Sequence, residues 1–166
     1  LIWAKRSWTF SVFFFLILTI TYSQDINEIK RIDSIVMRIE QTKYKIQTDS
    51  TKIELADLGL YSKSYLKIAI YNGEIIKFIN NVHMIDKRGD STKITDGSNS
   101  FYFWENKLIK VNEIFSENNT DLYMGWYFQN EKLIYSTFQN ELADARGKLL
   151  ISMSKSLIEE IIKRTY

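Results

Sequence analysis

Residues 101–110 read FYFWENKLIK, and 25 residues further on residues 126–135 read WYFQNEKLIY. The two segments align without a gap: Phe101 with Trp126, Tyr102 with Tyr127, Phe103 with Phe128, Lys107 with Lys132, Leu108 with Leu133 and Ile109 with Ile134. Each has aromatic and branched residues on both sides of a polar pair, Glu105-Asn106 and Asn130-Glu131. That is the pattern of a β-hairpin, two strands around a tight turn. YNGEIIK (71–77) is a looser third example, and its Asn72-Gly73 pair tolerates the positive φ that two-residue hairpin turns require. One hairpin is not stable alone in water, so several must lie side by side as a meander. Their spacing is too irregular for a solenoid or propeller, which repeats at a fixed period.

The flanking segments have helical spacing. In DINEIKRIDSIVMRIEQ (25–41), Ile26, Ile29, Ile32, Val36 and Ile39 recur at steps of three and four, one stripe of a helix. Asp25 followed by Glu28 has the form of a capping box. In ELADARGKLLISMSKSLIEEIIKR (141–164), Leu142, Ala145, Leu149, Met153, Leu157 and Ile161 form a second stripe, and Gly147 marks a break or weak point. Lys163 and Arg164 suit the negative end of that helix. Between the helices, residues 44–62 read as strand or helical turn, and KRGD (87–90), DGSN (96–99) and FSENNTD (115–121) read as turns or loops. The expected fold is α+β: an antiparallel β-meander of about six to seven strands, with the N-terminal and C-terminal helices packed on one face.

A two-residue turn pairs Phe103 with Leu108 and Tyr102 with Ile109, and in the second copy Phe128 with Leu133 and Tyr127 with Ile134. Side chains alternate between the faces of a strand. One face then collects Phe101, Phe103, Leu108, Trp126, Phe128 and Leu133, and burying each Phe or Leu is worth about 1.5–3 kcal/mol. That face is the expected core. The other collects Tyr102, Trp104, Lys107, Ile109, Tyr127, Gln129, Lys132 and Ile134. Its rings carry hydroxyl or indole handles, so Tyr102, Trp104, Tyr127 and Lys132 are candidate binding residues. The bland alternative is a half-solvated or covered sheet face. A bulged turn would shift the register and exchange the faces.

The N-terminus bears on address. Lys5 and Arg6 precede an uncharged run, TFSVFFFLILTI (9–20), followed by TYS (21–23), where Thr21 and Ser23 supply small side chains for cleavage. This is the layout of a secretory signal over residues 1–23, leaving 24–166 as one domain. The apolar run from Trp8 to Tyr22 is about 15 residues, short of the roughly 20 of a membrane span; retention as an anchor is the rival reading. Of 22 basic and 20 acidic residues, the signal removes Lys5 and Arg6 and no acid, so the mature charges balance. Nucleic-acid binding needs a basic stripe and is not expected. There is no cysteine, which excludes thiol chemistry, Cys-based metal sites and a lipid-modified cysteine.

Reactive constellations are sparse. His83 is the sole histidine and lies among apolar neighbours in INNVHMID, where a space-filling strand residue is expected. Glu113 with Glu117, or Glu117 with Asp121, could face one another as an acid/base pair, although acids in such loops usually just solvate. The six glycines are scattered and form no phosphate-binding loop. RGDS (88–91) and the acceptor triplet Asn118-Asn119-Thr120 are short matches of low information. No cofactor, metal site or catalytic residue is expected.

The signal ending in YSQ, the Ile/Asn/Lys-rich mature chain and the hairpins reading YFWENKLI and YFQNEKLI resemble small exported proteins of Bacteroidota. The resemblance implies a periplasmic or extracellular address in a Gram-negative bacterium and no activity. The first functional expectation is a non-enzymatic exported domain acting through binding or assembly, its partner a protein, a glycan or an apolar small molecule. The others are a carrier of a small apolar ligand or lipid between sheet and helices, a carboxylate hydrolase, and a membrane-tethered protein should residues 1–23 be retained.

Overall fold

The computed structural model describes residues 26–55, 60–87, 92–117, 120–138 and 140–165. Helix α1 covers residues 26–41. Seven strands follow: β1 Lys45–Leu55, β2 Leu60–Tyr71, β3 Glu74–Asp86, β4 Lys93–Trp104, β5 Lys107–Glu117, β6 Thr120–Gln129 and β7 Lys132–Ser136. Helix α2, Ala143–Thr165, closes the chain. The strands form one antiparallel sheet in sequence order, the meander that the doubled hairpin requires. The signal segment, Asp25, RGDS and Asn118-Asn119 lie outside the described residues. DGSN is not a turn: it sits inside β4, paired on both sides. Asp-Gly and Ser-Asn are turn dipeptides locally, but two neighbouring ladders outweigh that preference.

Three hairpins share one construction. Their turn residues all have positive φ: Asn72 and Gly73 (51° and 83°), Glu105 and Asn106 (51° and 59°), Asn130 and Glu131 (49° and 59°). These are two-residue turns whose twist matches that of the strands. Two residue pairs beyond each turn, the second strand holds one extra residue. Ile70 faces Ile75 but Ala69 faces Lys77; Phe103 faces Leu108 but Tyr102 faces Lys110; Phe128 faces Leu133 but Tyr127 faces Tyr135. The extra residues are Ile76, Ile109 and Ile134. The expected pairs Tyr102–Ile109 and Tyr127–Ile134 are therefore replaced by bulges.

The bulges shape what lies beneath α1. Ile76, Ile109 and Ile134 all pack against its buried stripe of Ile32, Ile35, Val36 and Ile39. The residues that follow two of them, Lys77 and Lys110, reach acids of the same helix. On the opposite face Phe78, Phe101, Phe103, Leu108, Val111, Trp126 and Phe128 enclose Leu150 of α2. The apolar face is thus the core, as the alternation predicts. Both helices pack on the sheet, but on opposite faces: α2 covers the apolar side and α1 the tyrosine side. The shared face expected for them is corrected by these two clusters. The tyrosine side, with Ile76, Ile109 and Ile134 on it, is apolar enough to bury a second helix.

Helix α2 is continuous through Gly147. A Cβ there would lie 3.0 Å from Leu133 Cδ2 and 3.2 Å from Leu133 Cβ, so the absent side chain lets the helix approach β7. The inward stripe follows the expected one in its C-terminal half, where Met153, Leu157 and Ile161 pack on the core, and departs from it in the first turns. Gly147, Leu150 and Ser154 are buried, whereas Leu142, Ala145 and Leu149 are exposed. Asn140 starts the helix, its Oδ1 accepting from the Leu142 N–H at 2.9 Å. Glu113, fully buried on β5, accepts a two-pronged hydrogen bond from the Arg146 guanidinium. Among the described residues no helix is long and apolar enough to cross a membrane.

Candidate functional site

The four residues singled out from sequence do not form one open platform. Tyr102 and Tyr127 are buried under α1. The Tyr102 hydroxyl donates to Glu40 Oε1 at 2.6 Å, and the Lys77 ammonium reaches the same oxygen at 2.7 Å. The Tyr127 hydroxyl donates to Asp33 Oδ1 at 3.0 Å, joined there by Lys110 at 2.7 Å. Each ammonium also lies over its neighbouring ring, 5.1 Å from Tyr102 and 4.5 Å from Tyr127. The doubled sequence phrase has become a doubled clamp. Asp33 and Glu40, seven residues apart on α1, each take one tyrosine and one lysine. Trp104 and Lys132 stand outside, near the turns. Trp104 is 38% exposed with the Arg38 guanidinium 5.4 Å over its ring, and Lys132 is exposed opposite Gln129.

The clamps make the seating of α1 depend on pH. Burial pushes the Glu40 carboxyl up, but hydrogen bonds from Lys77 and Tyr102 outweigh it and hold the group below its usual value. A depressed carboxyl stabilises the fold above the unfolded value of about 4.3, and that stability is lost as pH falls through the folded value. Burial first, and the Glu40 carboxylate second, raise the Tyr102 phenol; burial also raises Tyr127. Phenols held neutral stabilise the fold below the unfolded value of about 10, and that stability is lost as pH rises beyond it. Amide hydrogen exchange in α1 should therefore be slowest from about pH 5 to pH 9.5, after correction for the intrinsic rate. In Glu40→Gln the acid limb should flatten while most of the alkaline limb persists. An unchanged acid limb would show that Glu40 does not fasten the helix.

Helix α1 covers only the turn-proximal half of its face. Farther from those turns the strand register places side chains in cross-strand rows on the same side. One row runs Tyr65–Asn81–Ser98–Ile114–Tyr123. The next runs Lys63–His83–Asp96–Ser116–Asp121. Tyr65, Asn81, His83, Asp96, Ser98, Ile114 and Ser116 line an open groove of about 330 Å³. Its polar groups are held in pairs. His83 Nδ1 is 2.7 Å from Asp96 Oδ1, Ser98 Oγ donates to Asn81 Oδ1 at 2.8 Å, and Ser116 Oγ donates to Asp121 Oδ1 at 2.5 Å. The Tyr123 hydroxyl donates to Asp121 Oδ2 at 3.0 Å, and the Lys63 ammonium sits 4.7 Å over the Tyr65 ring. Hydrogen bonds from Ser116 and then Tyr123 hold the Asp121 carboxyl below its usual range, and Asp121 in turn raises the Tyr123 phenol.

His83 is therefore not a space-filler: its side chain is half in water and bonded across strands. Its Nδ1, donating to a carboxylate, leaves Nε2 as the acceptor of the neutral ring. Local sequence conceals this groove, because DGSN has the composition of a turn yet lies within β4. The usable signal was the alternation of polar residues through INNVHMID and TDGSNS, which marks two strands with one wet face. The proposed acid pairings fare differently. Glu113 is engaged by Arg146 on the α2 face and Asp121 by Ser116 and Tyr123 on the α1 face, while the side chain of Glu117, common to both pairings, lies outside those described. Among the described residues no group of three or more His, Asp or Glu side chains is disposed to hold a metal ion. Comparison with protein-family models, curated proteins and solved structures finds no match to this chain.

Proposed function

We propose that the chain is an exported, non-enzymatic binding domain that holds a short hydroxyl-rich ligand, a saccharide, in the groove on the α1 face. The observation that carries this reading is the row Tyr65–Asn81–Ser98–Ile114–Tyr123, a strip of small polar and aliphatic side chains with an exposed phenol ring at each end. Tyr65 is 42% exposed and Tyr123 65% exposed. Sugars present C–H faces that stack on such rings and hydroxyls that both donate and accept. The paired groups His83–Asp96, Ser98–Asn81 and Ser116–Asp121 supply both kinds of partner at fixed positions, so little side-chain freedom is lost on binding. At the usual strand spacing of about 4.8 Å the two rings stand some 19 Å apart, room for a short oligosaccharide. The carrier reading draws less support, because stacked rings occupy the space between sheet and α2, Phe78 and Phe101 at 4.2 Å among them. Export rests on the signal-like residues 1–23, and N-terminal sequencing of periplasmic protein should begin at Gln24.

A panel of neutral oligosaccharides, arrayed and then followed by calorimetry on the best binder, tests the ligand class. Tyr65→Ala should weaken that binding by roughly tenfold, the value of about one lost stacking contact, with an unchanged circular dichroism spectrum. Binding of no saccharide at millimolar concentration, or equal binding by the variant, would refute the reading.

A further inference from the structure

We infer that the outer edge of β6 is a self-association surface, where a second copy of this chain adds its own β6 antiparallel to the first. The edge is defined by what β7 leaves uncovered. β7 pairs with β6 only over Trp126–Gln129. Beyond that, the Thr137 N–H and hydroxyl take the outward carbonyl and N–H of Gly125. Outward-facing backbone groups alternate along a strand. With those of Gly125 turned outward, those of Tyr123 and Asp121 are outward too, and among the described residues no strand pairs with them. The flanking side chains are large and wet: Leu122 is 49% exposed on the α2 side, and Tyr123 lies on the α1 side.

The occupant follows from the chemistry of the edge. Exposed strand edges are normally blunted by charge, proline or bulges. The other edge strand, β1, carries Lys45, Asp49, Lys52 and Glu54 along its length. The β6 segment Thr120–Met124 has one charge, Asp121, and no proline or bulge. Antiparallel pairing about a two-fold axis at Leu122 sets Asp121 opposite the partner copy's residue 123 and Leu122 against its own equivalent. Every outward N–H and C=O of the two residues is then bonded, and the already engaged Gly125 is not needed. Each Asp121 carboxylate meets a second phenol on the α1 side, while the two Leu122 side chains meet on the α2 side. Register shifts by two residues lose this match, because they place an outward residue against Gly125 or beyond Thr120. The tyrosine-side grooves of the two copies then run into one another at Asp121 and Tyr123. The surface does not rest on the saccharide reading, and its test uses no ligand.

Such a short strand pair buries an area at the low end for specific complexes, so the dimer is weak and concentration-dependent. Sedimentation velocity of the mature chain from about 1 μM to about 1 mM should show a monomer passing to a dimer. Tyr123→Pro removes an N–H that points away from β5, so the sheet itself tolerates it. Leu122→Lys places two ammonium groups across the axis on a position already half in water. Both variants should keep the wild-type circular dichroism spectrum and weaken dimerisation at least about tenfold. A wild-type chain that stays monomeric throughout overturns the inference. So does a dimer that persists in a folded variant, which would assign the contact to another surface.

Discussion

Replacing Phe78 by Ala is expected to destabilise the fold by about 3–5 kcal/mol. The ring is fully buried at the centre of the α2-face core, stacked on Phe101 at 4.2 Å and tilted against Phe103 at 5.3 Å. Truncation removes its transfer free energy and leaves a cavity whose walls are strands locked in ladders on both sides, so little collapse is available. The aromatic contacts add about 0.5–1.5 kcal/mol each beyond burial, which places the loss at the upper end. Against a total stability of about 5–15 kcal/mol, the variant should be marginal or unfolded at room temperature. Urea denaturation followed by tryptophan fluorescence measures it. Tyr71→Ala, on the neighbouring strand but exposed, is the control and should change stability by no more than about 0.5 kcal/mol. A loss below about 1 kcal/mol for Phe78→Ala would mean that the stacked rings are not the core.

The second large effect lies where α2 is fastened. Arg146→Leu should cost about 3 kcal/mol, because it leaves the fully buried Glu113 carboxylate without its counter-charge. The value is at the low end of the usual 3–5 kcal/mol because the Arg146 side chain keeps 30% of its surface in water. The double replacement Glu113→Leu with Arg146→Leu should recover most of that loss, since both desolvation penalties vanish together. Four urea titrations complete the double-mutant cycle. A double variant as unstable as the single one would show that the pair itself, and not the stranded charge, holds the helix.

How much of this could be read beforehand depends on how local each feature is. The hairpin turns are set by adjacent residues, yet only Asn72-Gly73 carries the usual signature. The other two put a glutamate at positive φ, Glu105 and Glu131, and were legible only because the same phrase occurs twice. Helix α1 was legible from its isoleucine period. For α2 the stripe held for Met153, Leu157 and Ile161 but misled in the first turns: Leu142 and Leu149 have the right spacing, yet the close approach permitted by Gly147 turns Leu150 inward instead. The groove was the least legible part. Tyr65, Asn81, Ser98, Ile114 and Tyr123 come from five strands, and only the register brings them into one row.

By itself the sequence determined the meander, its apolar face and the two terminal helices, because turns and alternation act between residues a few positions apart. Only the tertiary structure decided which face each helix covers. A buried stripe states that a helix must pack, not against what, and this sheet has two faces able to receive one. The bulges tipped the choice by turning Lys77 and Lys110, which regular alternation would place on the apolar side, toward Glu40 and Asp33, beside Ile76, Ile109 and Ile134. Those contacts join residues 37 and 77 positions apart, a pairing that no local pattern encodes.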